Sequence, residues 1–172
     1  MKLRAIEKKD LDLIRNARNE DISFLRTPYF ITEDMQDEWY RSIISNRNYN
    51  GRFYAFSPSG VTPLEIYGDI FGYGAINPIQ WENRIGEIGL MILPNKRKHG
   101  LGEQAVKLLL DNAFNQLNLQ TVYGEYYKCG NTQFWEKVLK DIPHYETILK
   151  NRKFWDGKYW DSVYFSIERG AV

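Results

Sequence analysis

A basic, glycine-containing turn is the part of this chain whose residue types are best suited to bind a ligand. Residues 90 to 103 read Leu-Met-Ile-Leu-Pro-Asn-Lys-Arg-Lys-His-Gly-Leu-Gly-Glu, an apolar strand that opens into a helix. Gly100 and Gly102 lack a Cβ, so the backbone can bring several N–H groups against an anion. The helix adds unpaired N–H groups and the positive end of its dipole. Together with side-chain donors from Arg97, Lys98 and His99, this pattern predicts a phosphate-binding site.

The spacing in this turn differs from the common nucleotide-binding motifs. It has neither the Gly-x-x-x-x-Gly-Lys-Ser/Thr of a P-loop nor the three glycines of the dinucleotide fingerprint. The pattern Arg97-x-x-Gly100-x-Gly102 instead resembles the acetyl-CoA pyrophosphate loop, Gln/Arg-x-x-Gly-x-Gly/Ala, of the GNAT superfamily of N-acetyltransferases. For the motif taken alone, a glycine-bearing turn with solvated lysines is the alternative interpretation.

Length and composition are those of one ordinary globular domain, which we expect to span residues 1–172. Hydrophobic residues make up 43% of the chain, and 23 Lys+Arg against 22 Asp+Glu leave a formal charge of +1. A charge this small creates no general attraction for nucleic acid or an anionic membrane. One cysteine, Cys129, excludes an internal disulfide, and with two histidines it leaves little from which to build a metal site. We therefore expect no metal, nucleic-acid partner or membrane contact.

The distribution of apolar residues also bears on location. The N-terminal ten residues are charged and lack the apolar core of a signal peptide, and no stretch approaches the apolar length of a membrane span. The cytoplasm is the expected location.

Periodicity and turn residues predict the element order β-α-α-β-β-β-α-β-α-β-β. The predicted strands are Lys2–Ile6, Arg52–Ser57, Ile66–Ile76, Arg84–Leu93, Gln120–Lys128, Tyr145–Phe154 and Lys158–Ile167. The predicted helices are Asp10–Asn19 with Asp10 as N-cap, a helix after Thr32 with Met35, Trp39 and Ile43 on one face, Leu101–Leu117, and Asn131–Lys140. Asn77-Pro78 and Asp156-Gly157 are predicted turns.

This order, with the phosphate turn between the fourth strand and the third helix, is what the GNAT fold would have. The resemblance covers nearly the whole chain, and the segments Leu3–Leu11 and Glu87–Leu90 resemble further family positions. It implies an α/β (α+β) fold with a mixed, mostly antiparallel sheet of about seven strands flanked by about four helices. The sheet is expected to splay between strands four and five.

The resemblance implies acetyl-CoA as co-substrate. Its pantetheine arm is expected to bond to backbone groups of the fourth strand that the splay leaves unpaired, and its diphosphate to lie on the turn. The residues expected to bind it are Met91, Ile92, Leu93, Arg97, Lys98, His99, Gly100, Leu101, Gly102, Glu103 and Asn131. Asn131 is equally suited to cap its helix.

Acetyl transfer to an amine requires a neutral nucleophile, a polarised carbonyl and a proton for the leaving thiolate. Glu87, on the face of the fourth strand beside the expected splay, is the candidate base, and a solvated or salt-bridged role is its alternative. Glu125, on the fifth strand, is a second candidate. Trp135 stands where many family members place an acidic tyrosine, so either Tyr127 or Tyr145 substitutes or the thiolate leaves to water.

The expected acceptor site comprises Arg26, Tyr29 and Trp39, because family members bind acceptors with the first two helices and the loop between them. The stretch from Leu25 to Tyr40 resembles members that acetylate nucleotide-linked amino sugars or ribosomal-protein N-termini. We therefore expect a primary amine on a small molecule or nucleotide-linked amino sugar. The alternatives are a protein N-terminal acetyltransferase and a non-catalytic acyl-CoA-binding module, and the chain is expected to be a monomer or homodimer.

Overall fold

The computed structural model describes residues 1–26, 28–59, 70–130 and 132–171. Within them, seven strands form a single sheet in the order β1-β2-β3-β4-β5-β7-β6. The strands are β1 (Lys2–Arg4), β2 (Arg52–Ser57), β3 (Gly72–Gln80), β4 (Ile85–Ile92), β5 (Thr121–Tyr127), β6 (Tyr145–Trp155) and β7 (Lys158–Glu168). The helices are α1 (Leu11–Glu20), α2 (Glu33–Trp39), α3 (Leu101–Asp111) and α4 (Thr132–Leu139), with π-helical turns over Tyr40–Ile44 and Asn112–Gln116 continuing α2 and α3. The predicted order and fold class are confirmed.

Two apolar clusters cover the two faces of the sheet. On one face, α3 and α4 pack against the central strands, and on the other α1 and α2 surround a smaller cluster that includes Ile14 and Ile70. The predicted apolar stripe of α3 and its π-helical continuation is buried throughout: Ala105, Val106, Leu109, Leu110, Ala113 and Phe114. Amphipathic periodicity therefore identified the inner face of this helix correctly.

The sheet opens at its centre, between β4 and β5. These two strands are parallel, and their pairing covers only Ile85–Glu87 with Thr121–Tyr123. Beyond that point β4 remains paired with β3 as far as Ile92, and β5 remains paired with β7 as far as Tyr127. The expected splay between strands four and five is confirmed.

The Asn77-Pro78 turn is a wrong prediction, because both residues lie within β3. The register between β3 and β4 shifts between Ile76 and Ile79, which accommodates a proline that has no N–H to donate. The Ile79 N–H donates to the Asn50 carbonyl at 2.8 Å. The predicted start of this strand, 66–69, lies outside the described residues. In contrast, the Asp156-Gly157 turn does connect β6 and β7, with both residues at positive φ.

Two helix predictions are corrected by tertiary packing. Asp10 does not cap α1, because its carboxylate accepts hydrogen bonds from the Arg4 guanidinium at 2.7 and 2.8 Å and from the Glu7 N–H at 2.8 Å. In α2, Met35 is exposed and Gln36 is buried instead. The inner face of this short helix is set by the cluster it packs on rather than by its most apolar residue.

Candidate active site

A cavity of about 710 Å3 lies where β4 and β5 diverge. It extends from the start of α3 to polar side chains on the α1–α2 face of the sheet. Its lining includes Phe24, Arg26, residues 87–92, Lys96, Arg97, Lys98, residues 100–103, residues 125–127, Gly130, Gln133, Phe134, Trp135 and Lys137. The cavity therefore joins the predicted phosphate turn to both predicted carboxylates.

The start of α3 has the backbone conformation that the glycine pattern predicted. Gly100, the N-cap, has φ of 72°, and Lys98 also has a positive φ, 67°. A Cβ at Gly102 would lie 2.6 Å from the Phe134 ring, so a glycine allows α3 to begin directly against α4. Lys98 and residues 100–103 line the cavity, whereas His99 does not. The N–H groups at this end of α3 form a concave site suited to an anion.

Ion pairs hold both sides of this turn. The Arg97 guanidinium pairs with Asp21, at the end of α1, and its Nε donates to the Ile92 carbonyl at 3.0 Å. Glu103 pairs with Lys137 of α4 at 2.5 Å, which offsets its negative charge beside the turn. Arg97 thus connects the turn to β4 and α1 as well as lining the cavity.

The exposed edge of β4 forms one wall of the cavity. Residues 88–92 line it, and a Cβ built at Gly89 would meet no atom within 4 Å. Leu93 does not line the cavity. Its side chain is buried in the core, and its N–H donates to the Phe71 carbonyl at 2.9 Å. Asn131 lies outside the described residues.

Glu87 and Glu125 meet around one guanidinium. Arg26 donates to both carboxylate oxygens of Glu87, from Nη1 at 3.4 Å and from Nη2, and its Nη2 lies 3.6 Å from Glu125 Oε2. Ser162 Oγ donates to Glu125 Oε1 at 2.6 Å, and Arg152 Nε does so at 3.3 Å. The side chains of Glu87 and Glu125 are only 15% and 6% exposed, while that of Arg26 is 56% exposed. Two largely covered carboxylates therefore face a cation that is open to solvent.

Tyr127 completes this cluster. Its hydroxyl accepts a hydrogen bond from Arg26 Nε at 3.2 Å and donates to Glu125 Oε2 at 3.5 Å. Burial raises the pKa of Tyr127 above its ordinary value, although the hydrogen bond from Arg26 acts in the opposite direction. Tyr145 is 69% exposed and does not line the cavity. Of the two tyrosines that the sequence offered as the acid, only Tyr127 is in the site.

The predicted acceptor residues are dispersed. Arg26 lies in the cavity, but Tyr29 is exposed and Trp39 packs edge-on against Phe53 with ring centroids 5.5 Å apart. Neither aromatic residue lines the cavity. Trp135 lines it from α4 and also packs against Phe165, with ring centroids 4.9 Å apart.

Lys153 is a residue that the sequence analysis missed. It is 4% exposed, and its ammonium donates to the backbone carbonyls of Ser23 and Leu25, three residues and one residue before Arg26. Burial lowers the pKa of Lys153. No pattern in β6 distinguishes this lysine from its exposed neighbours, so only the fold reveals that it positions the Arg26 loop.

Comparison with known proteins identifies the class to which this fold and site belong. The family model described as "Acetyltransferase (GNAT) domain" matches residues 1–133. The chain therefore belongs to the GNAT acetyltransferase family, whose domains use acetyl-CoA as co-substrate.

Solved structures share the fold over nearly the whole chain. A spermidine N-acetyltransferase from Vibrio cholerae, in complex with CoA and spermine, superposes with a TM-score of 0.81 at 21% identity, covering 98% of this chain and 95% of that one. A dodecameric structure of spermidine N-acetyltransferase from the same organism has a TM-score of 0.73 at 21% identity, covering 97% and 92%. At these identities the similarity establishes the fold.

A curated relative, the "Putative pyridoxal kinase" of Caenorhabditis elegans, is 27% identical over 116 residues, or 63% of this chain. The match spans only 36% of that protein's length. No helix in the described part of the chain is long and apolar enough to cross a membrane.

Proposed function

We propose that this protein transfers the acetyl group of acetyl-CoA to a primary amine on a small molecule. The observation that carries the proposal is one continuous cavity, which connects the anion-binding start of α3, the open edge of β4, and the carboxylates of Glu87 and Glu125. The start of α3 and the edge of β4 would form the site for the acetyl donor, and the two carboxylates would form the site for the acceptor.

The residues along the cavity fit acetyl-CoA. The N–H groups from Lys98 to Glu103, with the lysine side chain, would hold the diphosphate, and Gly89 leaves space for the pantetheine arm beside β4. Unpaired backbone groups of β4 would bond to that arm. When bound, acetyl-CoA supplies an acetyl group activated as a thioester.

The carboxylate side of the cavity would handle the protons. Glu87 would accept a proton from the acceptor ammonium, leaving a neutral amine to attack the acetyl carbonyl. A β4 backbone N–H would polarise that carbonyl. Tyr127, which burial keeps protonated at neutral pH, would donate its proton to the departing sulfur. Glu125 would orient Tyr127 and contribute negative charge beside the acceptor.

A cationic small-molecule amine is the acceptor that the site supports best. Two desolvated carboxylates suit an ammonium, and the Vibrio cholerae structure of the same fold contains spermine. A nucleotide-linked amino sugar has less support, because Tyr29 and Trp39 do not line the cavity. A protein N-terminus is the second candidate, since the half-exposed Arg26 places the acceptor side of the cavity within reach of solvent.

Release of free CoA thiol, measured with purified protein, tests the proposal. The acceptor panel contains spermidine, glucosamine and a short peptide with a free N-terminus, and we expect the fastest release with spermidine. A non-catalytic module would bind acetyl-CoA in calorimetry but release no thiol with any amine, and that result would refute the proposed activity.

Glu87→Gln should slow amine-dependent release by roughly 10- to 100-fold, because it removes the general base. The effect should be largest at low pH, where the acceptor is hardest to deprotonate. Glu82→Gln, an exposed acid in the β3–β4 turn, is the matched control and should leave the rate unchanged. An unaltered rate and pH profile in Glu87→Gln would remove Glu87 from the mechanism.

A further inference from the structure

Arg26 occupies the place that an acceptor ammonium would need. Its guanidinium contacts both oxygens of Glu87, the nearer oxygen of Glu125 and the hydroxyl of Tyr127. All of these groups line the cavity. An arginine side chain does not lose its proton in proteins, so it forms a permanent cation between the two carboxylates.

This contact competes with the proposed role of Glu87 as a base. While both oxygens of Glu87 are bonded to Arg26, a permanent cation stands against the carboxylate and repels an ammonium that approaches it. Proton transfer from a bound ammonium to Glu87 therefore requires this contact to open. Glu125 differs, because Ser162 and Arg152 still bond to its other oxygen when Arg26 leaves.

The surroundings of Arg26 permit such an opening. Its side chain is 56% exposed and comes from the segment between α1 and α2, whereas the two carboxylates are fixed on neighbouring strands of the sheet. Lys153 bonds to the backbone carbonyls of Ser23 and Leu25, three residues and one residue before Arg26, so it fixes the backbone of this loop rather than the Arg26 side chain. Rotation of the Arg26 side chain toward solvent would therefore expose Glu87 without moving the strands.

We propose that Arg26 is an internal counter-ion that the acceptor displaces, so that the enzyme selects amines that arrive as alkylammonium ions. The inference rests on the proposed function, since it specifies the acceptor of that same site. An alkylammonium replaces the guanidinium with the local charge unchanged. A neutral arylamine would leave the desolvated carboxylate of Glu87 uncompensated, which is unfavourable.

The exchange leads directly into the transfer. An N–H bond of the bound ammonium breaks, and the proton forms an O–H bond on Glu87. The freed lone pair forms the new N–C bond to the acetyl carbon, and the C–S bond breaks as Tyr127 donates its proton to sulfur. The acylated nitrogen then loses a second proton, which forms the O–H bond of Tyr127 again, and the proton on Glu87 leaves to solvent when product departs and Arg26 returns.

Calorimetric titration of spermidine in the absence of acetyl-CoA tests the displacement separately from catalysis. Arg26→Ala and the neutral, polar Arg26→Gln should each bind spermidine at least fivefold more tightly than the wild type, because no cation then needs to be displaced. Millimolar guanidinium chloride should compete with spermidine in Arg26→Ala and have little effect on the wild type. Arg41→Ala, which removes an exposed arginine paired with Glu38, is the control and should bind like the wild type.

Unchanged or weaker spermidine binding in whichever Arg26 variant folds would overturn the proposal and would indicate that Arg26 only supports the site. The proposal would also be overturned if guanidinium chloride did not compete with spermidine in Arg26→Ala. Thermal unfolding of each variant identifies the folded ones. If the Arg26 variants bound spermidine more tightly but the wild type released no CoA with any amine, only the transferase proposal would be refuted. Failure of the counter-ion proposal and failure of the proposed function are therefore distinguishable.

Discussion

At the scale of single residues, the position of Tyr127 decides between the two tyrosines that could protonate the leaving thiolate. It lies on the cavity wall with Glu87 and Glu125, whereas Tyr145 does not line the cavity and is mostly exposed. Burial raises the pKa of Tyr127 above its ordinary value of 10.0. An acid must be protonated to act, so activity due to Tyr127 is present below this raised pKa and is lost only above it.

We predict that Tyr127→Phe lowers kcat by on the order of 100-fold and removes the high-pH decline that depends on this hydroxyl. Tyr145→Phe serves as the control and should retain the wild-type rate. The measurement is a pH–rate profile of CoA release between neutral and strongly alkaline pH. If Tyr145→Phe lost activity while Tyr127→Phe kept the wild-type rate, Tyr145 rather than Tyr127 would be the acid.

At the scale of elements, a buried ion pair connects the first strand to the first helix. Asp10 precedes α1, and its fully buried carboxylate is bonded by Arg4 of β1 and by the Glu7 N–H. Burial alone would raise the pKa of Asp10, but these hydrogen bonds outweigh it and lower the pKa. A carboxyl group with a lowered pKa contributes stability above its unfolded pKa, near 3.9, and loses that contribution as the pH falls through the folded value.

We predict that Asp10→Asn lowers the free energy of unfolding by about 3 kcal/mol at pH 7, because it removes the buried carboxylate charge to which Arg4 and the Glu7 N–H donate. The control is Asp12→Asn, an exposed residue paired with Arg15, which should change stability by less than about 0.5 kcal/mol. Urea unfolding at pH 7, 5 and 3 is the measurement. The difference between wild type and Asp10→Asn should shrink at pH 3, and a difference independent of pH would contradict the electrostatic explanation.

Lys153 makes a second connection between elements that are distant in the chain. It belongs to β6, and the carbonyls that it bonds precede Arg26. The last hairpin thereby fixes the loop that carries Arg26 into the cavity.

At the scale of the whole molecule, the proposed binding site is a gap in the sheet rather than a groove on its surface. Because pairing between β4 and β5 stops after Glu87 and Tyr123, backbone groups of both strands face the gap before any ligand binds. A ligand that bridges them should stabilise the folded chain according to its affinity.

We predict that coenzyme A at 100 times its Kd stabilises the protein by about 2.7 kcal/mol, which corresponds to a rise in Tm of roughly 5–10 °C. Gly100→Asp should abolish this rise, since it places a carboxylate at the start of α3. Gly157→Asp is a matched control, because Gly157 has a similar φ of 76° and open space around it but lies in the distant β6–β7 turn. An equal rise in Gly100→Asp would show that the diphosphate binds elsewhere.

The sequence predicted the features that depend on a segment's own residues. Periodicity identified the buried stripe of α3, and the Asp-Gly pair located the β6–β7 turn. The predictions failed where a distant partner decides the outcome. Asp10 has the residue type of an N-cap, yet it is bonded by Arg4 of β1, and Asn77-Pro78 has the composition of a turn, yet the neighbouring strand holds it in β3.

What the sequence determined by itself was the order of elements, the glycine-containing start of α3 and the strand face on which Glu87 lies, because each of these follows from spacing within a few turns of helix or strand. The family was indicated by resemblance to known members. Only the tertiary structure decided that Arg26, 61 residues from Glu87, sits against both carboxylates, and that Lys153, 130 residues from Ser23, is buried beneath the same loop. The physical reason is that a local pattern sets which way a side chain faces, while packing of the whole chain sets what it meets there.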